Sequence, residues 1–505
     1  MEYNEIMHLF YEIRLGNLPT EAEAAELRKV DGLNLSFSEI SDLKGIEYFP
    51  GLRWLYLSAT SIENLDGIEA LQQLEILRLD HTNPVSLAGL EKLPALRRLS
   101  LAEADIRAFD TMKGNATVEA LDLSGTRIKN LVGIEDFPNL RELDISHTPT
   151  LRDLNSIGSL KKLQKLVLDD ANVKDVSPLF SLSELTELDL CCRSVTDVTG
   201  IENLKKLRVL ALSFTDIREL GGVTELPELE ELYLYETGLR SLKGIGKLKT
   251  LKKLMLFNTK IGELGEIAEL TGLKELNIGA TNIPSFDGLE KLTELKKLDL
   301  RALRFDSIAG IEKLKKLEWL DLSRLRIKHI EPLKWLRELK VLNLLHTQVS
   351  DLTPLRSLKK LEKLYISDTK VESLAGIEGL HELRELFMNS TAVSDLTPIA
   401  GLTKLTNLRA SHTDVEDISP IEDLTELESL QLEGSRLERL ADVFGKLNKL
   451  NYVNLCGLVL DQIPPSLEGL GLHFVLDHTE DQRGAMVFMT DTVLRDQDKE
   501  RFRNK

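Results

Sequence analysis

Four histidines stand directly before a threonine: His81, His147, His346 and His412. Recurring imidazoles suggest zinc, which takes nitrogen and sulfur ligands. The spacing opposes that chemistry. His81 and His147 are three periods of a 22-residue repeat apart, as are His346 and His412. At ~4.8 Å per stacked strand each pair is separated by about 14 Å, whereas one zinc holds its ligands at ~2 Å. Two aspartate pairs, Asp122 with Asp144 and Asp299 with Asp321, also fall one period apart. Carboxylates near 5 Å apart can do acid–base work, but these lie on an open surface with no nucleophile or desolvating wall beside them. Cys191 and Cys192 are adjacent and could form a redox switch; a solvated, inert pair is the simpler reading. No phosphate loop, HExxH, GxSxG, CxxC or calcium-loop pattern occurs. The sequence predicts no enzyme activity, no metal and no cofactor.

What positions these residues is an internal repeat. The triplet Leu-x-Leu starts at Leu33 and recurs every 22 residues through Leu143, slips by one to Leu166 near Pro149, then runs to Leu430 and slips once more to Val453. That makes twenty rungs over positions 30–460. Each reads L-x-x-L-x-L-x-x-T-x-[IVL], as in Leu52, Leu55, Leu57, Thr60 and Ile62. The two-residue alternation around Leu55 and Leu57 is that of a short strand with leucines on one face.

The chain is therefore predicted to be an α/β solenoid. It would be a leucine-rich-repeat arc of about twenty 22-residue rungs with a parallel β-sheet on its concave face. The second half of each rung is either a Gly-Ile turn, as at Gly67-Ile68, or Ser/Thr-Pro, as at Ser177-Pro178, Thr353-Pro354, Thr397-Pro398 and Ser419-Pro420. A hydroxyl can cap a short helix and proline suits its first position, so short 3-10 helices or turns are expected on the convex face. The ninth position is Thr in twelve rungs, from Thr60 to Thr413; a hydroxyl there can serve buried backbone groups. The column breaks at Arg193, Leu303 and Leu325, where a rearranged turn is expected.

The run SDLTPIAGLTKLTNLRASHTDVEDISPIEDL at 394–424 resembles the irregular 22-residue repeats of bacterial internalins and of phosphatase-regulator solenoids. The likeness covers about 85% of the chain. It implies the fold, and it implies a binding function without naming the partner. Threonine replaces the usual asparagine, and no signal or cell-wall anchor accompanies the repeats, so the host-receptor role of internalins does not carry over.

Residues 1–30 are predicted as a helical N-terminal cap with Ile6, Leu9, Phe10 and Ile13 on one face; residues 31–457 form the solenoid, and 458–505 a C-terminal cap and charged tail. Both ends of a solenoid need such covers. The C-terminal segment reads as hairpin-like around Leu472–Val475 and Ala485–Met489, and it is similar to flanks that join cytoplasmic bacterial arrays to signalling domains. The chain has 505 residues, beyond the usual size of a single core, and only 5% aromatic residues, which suits an aliphatic repeat array. Its net charge of -18 argues against nucleic acid and anionic membranes as partners. Three cysteines and the absence of an apolar leader in MEYNEIMHLFYEIRLGN predict a cytoplasmic protein, and the resemblance to internalin-like repeats implies a bacterial one.

Rungs five to eight present Asp122, Glu142, Asp144, Asp169, Asp170, Glu187 and Asp189, interrupted by Lys165. Like charges on adjacent strands cost stability, so this excess suggests a basic partner. The next rungs present Phe214, Tyr233, Tyr235, Met255 and Phe257, an aromatic and apolar cluster on an exposed sheet. Rungs thirteen and fourteen present Asp299, Arg301, Trp319, Asp321 and Arg324, read as a second anchor. Trp54 with Tyr56, and Tyr365 with Phe387, are weaker candidates that stacking between rungs can explain. The predicted function is a protein-binding recognition or adaptor module in a signalling or defence assembly, gripping a partner protein with a basic and apolar segment. The alternative is a regulatory subunit of a partner enzyme such as a phosphatase, protease or nuclease.

Overall fold

The computed structural model describes residues 2–107, 114–437, 440–460, 465–468, 475–478 and 485–488. They fall into two compact units, Met1–Ile261 and Gly262–Lys505, built from the same rung.

The first unit opens with helices α1 (Tyr3–Arg14) and α2 (Glu21–Leu27). On α1, Phe10 and Ile13 are buried; the Phe10 ring meets Phe49 edge-on at 5.9 Å, and Arg14 pairs with Asp42 at 2.7 Å. A reciprocal cap starts α2: the Thr20 hydroxyl accepts from the Glu23 N–H, and the Glu23 carboxylate accepts from the Thr20 N–H. Eleven three-residue strands follow, from Gly32–Asn34 to Lys253–Met255, each parallel to the next at the repeat spacing. The second unit holds nine such strands, from Glu275–Asn277 to Tyr452–Asn454. It also contains a small antiparallel sheet in which Ala485–Phe488 pairs with both Val459–Leu460 and Val475–His478. Of the C-terminal features singled out in the sequence, Leu472-His473-Phe474, Met489 and the charged tail 495–505 lie outside the described residues.

Each three-residue parallel strand carries one leucine or valine inward and its other two residues outward. Leu55, Leu57, Leu77 and Leu79 are fully buried, as are their equivalents in both units. The threonine column then does what its chemistry allows. All twelve hydroxyls donate to the carbonyl three residues earlier, at 2.5 to 3.1 Å, from Thr60 on Leu57 to Thr413 on Ala410. The residue before it takes the left-handed conformation, so its own N–H can reach the next rung, as Phe214 reaches the Tyr235 carbonyl at 2.7 Å. Among the described residues sixteen non-glycine residues do this, each at a cost of roughly 1–2 kcal/mol.

Two expectations about turns are corrected. Leu303 and Leu325 do not rearrange the turn: Ala302 and Arg324 keep the left-handed backbone, and the leucine N–H groups still donate to Leu300 and Leu322. The turn changes only at the third break, rung eight. There Cys192 donates its N–H to the Leu190 carbonyl, and its buried thiol donates to Leu168 of the preceding rung, at a position where Ala171 offers no hydroxyl. The Ser/Thr-Pro helices are also capped differently. Their hydroxyls do not cap the helix. Instead an aspartate two residues upstream accepts the Ser/Thr backbone N–H, as Asp175 does for Ser177 and Asp417 for Ser419. The Gly-Ile turns need glycine itself, because Gly67 and Gly244 sit at φ 92° and 85°.

Candidate partner-binding face

The outward positions of the first unit form two adjoining depressions of about 450 Å³ each, which share Lys165 and Val167. One is bordered by Arg78, Arg98, Asp122, Glu142 and Asp144. The other has Asp169, Asp189 and Cys191 on one side and Phe214, Tyr233 and Tyr235 on the opposite side.

The aromatic side is built from rungs nine and ten. Phe214 occupies the left-handed position at φ 62° and is 42% exposed. Tyr233 and Tyr235 are half-buried, with ring centroids 6.4 Å apart. The Tyr233 hydroxyl donates to Glu231 at 2.5 Å, and the Lys253 ammonium lies 5.1 Å from its ring centre. Burial, with that hydrogen bond to Glu231, pushes the Tyr233 phenol above its ordinary value. Phe257 is half-buried. Met255, expected on the exposed surface, is only 8% exposed and belongs to the core: it faces outward, but its register partner Tyr233 helps cover it.

On the acidic side, part of the excess charge is already answered. Arg98 reaches Glu142 at 3.7 Å and Lys165 reaches Glu187 at 3.2 Å. Asp122 and Asp144 are register partners, and each turns one oxygen to its own rung, accepting the N–H and hydroxyl of Ser124 and Ser146. Asp189 accepts the Cys191 N–H in the same way at 3.1 Å. Asp169 is held above the usual carboxylate range by burial and by the Asp189 charge.

In the second unit the two predicted carboxylates are not exposed. Asp299 and Asp321 are 5% and 4% exposed, because the rungs on either side close over the same column. Arg301 is exposed and pairs with Asp299 at 3.1 Å, and Arg324 is exposed in the left-handed position. Trp319 is half-buried, and its register partner is Lys297. Sequence reasoning paired Tyr365 with Phe387 but missed that Arg409 joins them. These are consecutive in one column: the two rings are 4.8 Å apart, and the guanidinium sits 4.3 Å over Phe387. Their shared 22-residue spacing was the available signal.

The four histidines are explained by the turn they occupy. All have left-handed backbones at φ 52° to 56°. His81, His147 and His346 each face a carboxylate at the same place in the next rung, Glu103, Asp170 and Asp368, at 3.3 to 3.7 Å. His412 lies over Gly434, where an added Cβ would come within 2.5 Å of Nδ1.

Fold and face together define a leucine-rich-repeat solenoid, a class whose outward strand positions form a surface for recognition. The chain belongs to the leucine-rich repeat region family, whose model matches residues 217–485, just over half its length. It is similar to a leucine-rich-repeat protein of Leptospira interrogans, at 22% identity over 86% of this chain and 98% of that one, with a TM-score of 0.50. It is also similar to the TLR13 chain of a TLR13–ssRNA13 complex, at 20% identity over 87% and 76% of the two chains, with a TM-score of 0.55. An internalin of Listeria monocytogenes matches at 24% identity over 62% and 80%, with a TM-score of 0.40. No curated protein sequence matches the chain. Identities at this level speak to the fold alone. Among the described residues no helix is long and apolar enough to cross a membrane.

Proposed function

We propose that this chain is a cytoplasmic recognition or adaptor protein that holds a partner protein on the sheet face of its first unit. One observation carries the reading: Phe214 stays exposed in a backbone conformation that disfavours a bulky side chain, at the wall of a depression whose other side is acidic. Core packing gives no reason to keep phenylalanine there. An aromatic wall facing carboxylates suits an apolar segment carrying Lys or Arg. The single-stranded RNA of the TLR13 complex is a poor guide here, because a net charge of -18 repels a phosphate backbone. In the second unit Arg301, Trp319 and Arg324 offer a separate, more basic contact surface. Residues 1–30 and 458–505 serve as the end covers that a solenoid requires.

The test is capture from native lysate with tagged wild type beside a Phe214→Ala/Tyr233→Ala/Tyr235→Ala variant, read by mass spectrometry. A protein retained by the wild type and lost by the folded variant supports this face as the anchor. Identical partners for both would refute it. If the captured protein is an enzyme whose rate changes on adding this chain, the regulatory-subunit reading replaces the adaptor reading.

A further inference from the structure

Serine occupies the position just after the strand in rungs five, six and nine (Ser124, Ser146 and Ser213), but Asp169 and Cys191 stand there in rungs seven and eight. These two substitutions place a carboxylate and a thiol on neighbouring rungs, beside the carboxylate of Asp189. One donor atom from each of Asp169, Asp189 and Cys191 lies within 4.8 Å of the others. From rung six, the His147 Nε2 approaches the Asp169 carboxylate at 3.9 Å. Three kinds of metal-binding group therefore meet across three consecutive rungs. All three residues of the core cluster are half-buried. Among the described residues neither Asp169 nor Asp189 has a lysine or arginine within ion-pairing distance, although Lys165 is taken up by Glu187 nearby.

We propose that Asp169, Asp189 and Cys191, with His147 at their edge, form a binding site for a divalent transition ion of the zinc type. A thiol with imidazole and carboxylate selects a borderline ion over calcium or magnesium, which prefer all-oxygen sites. A tetrahedral ion with bonds of about 2.0–2.3 Å spaces its donors roughly 3.3–3.7 Å apart. Closing the cluster therefore takes side-chain movements of about 1 Å on an open surface. The electrostatics point the same way. Asp169 is raised by burial and by Asp189, and the Cys191 thiol is raised by burial and by its hydrogen bond to Asp189, both shifts that a dication reverses. Binding converts the Cys191 thiol to thiolate and releases its proton to solvent. The isolated histidine repeat is excluded as a site by its spacing, but this cluster uses only one of those histidines. The proposal does not rest on the partner-binding reading.

The experiment titrates cobalt(II) into the reduced, chelator-treated full chain. A near-ultraviolet thiolate-to-cobalt charge-transfer band that saturates at one equivalent and is bleached by zinc is expected. The band should vanish in Cys191→Ser, and Asp189→Asn should weaken binding by about tenfold or more. Cys192→Ser should keep it, since that thiol is buried on Leu168. Serine is already the residue at positions 124, 146 and 213, so Cys191→Ser is expected to be compatible with the fold, and a thermal melt of the variant checks this. Absence of the band from the wild type, its survival in Cys191→Ser, or its loss only in Cys192→Ser would overturn the proposal.

Discussion

Asp299 and Asp321 face each other on neighbouring strands, both almost fully buried, and each is held from outside by an asparagine. The Asn277 amide donates to Asp299 at 3.0 Å and the Asn343 amide donates to Asp321 at 3.0 Å. Two carboxylates thus form the middle of a four-residue polar row on the sheet. The row is organised for packing, since each inner oxygen also accepts a backbone N–H two residues on, from Arg301 and Ser323.

This arrangement makes the second unit sensitive to pH. Burial, aided by the Asp321 charge, pushes the Asp299 carboxyl from its ordinary 3.8 up to about 6. A raised acid contributes stability that is complete below about 4 and disappears as pH rises through 6. The amount is on the order of 2–3 kcal/mol. Asp299→Asn removes that dependence. Urea unfolding at pH 4 and pH 7.5 should show the variant gaining on wild type by this amount as pH rises, whatever constant offset the lost Asn277 bond imposes. A difference that stays constant with pH would mean that Asp299 titrates as an ordinary carboxyl.

Glu318 gives the opposite sign one rung away. It bridges Lys296 at 3.0 Å and Lys340 at 2.8 Å, and these hydrogen bonds hold its carboxyl down to about 2. Its contribution is present above about 4.5 and lost as pH falls toward 2. Because the bridge is partly solvated, Glu318→Gln should cost under about 1 kcal/mol at neutral pH, and less in molar salt. Chemical denaturation at low and high salt measures both effects.

Phe214 predicts a conflict between stability and binding. Phe214→Gly relieves left-handed strain of about 1–2 kcal/mol at φ 62°, offset in part by the covered apolar area of a ring that is 42% exposed, and should leave the chain no less stable than wild type. The same change should weaken partner capture. A variant that is less stable than wild type would show that the Phe214 ring supports the fold.

Thr237→Val tests the hydroxyl column. The side chain is 3% exposed and donates to the Leu234 carbonyl at 3.1 Å. Valine keeps the shape and leaves that carbonyl without its donor, at a cost of about 1–2 kcal/mol. Thermal or urea unfolding of the single variant checks this.

The repeat made the fold legible because local contacts carry it. Leu55 and Leu57 state which strand face turns inward, and a constant step of 22 residues states which rung each residue meets. The columns were readable for the same reason, including Asp122 beside Asp144 and Tyr365 beside Phe387, to which one further period would have added Arg409. Exposure within a column was not readable. Alternation assigns Met255, Asp299 and Asp321 outward just as it does Tyr233, yet neighbouring rungs cover the first three and leave the tyrosine half open.

The sequence by itself determined the rung, its strand, its threonine turn and the order of side chains across the sheet, because each depends on residues within one or two periods. Only the tertiary structure decided which outward side chains meet solvent and which meet each other. Serine-to-aspartate and serine-to-cysteine changes at Asp169 and Cys191 look like isolated irregularities along the chain. They become a cluster with Asp189 only when adjacent rungs stack, since convergence depends on side-chain direction and on how closely the rungs approach.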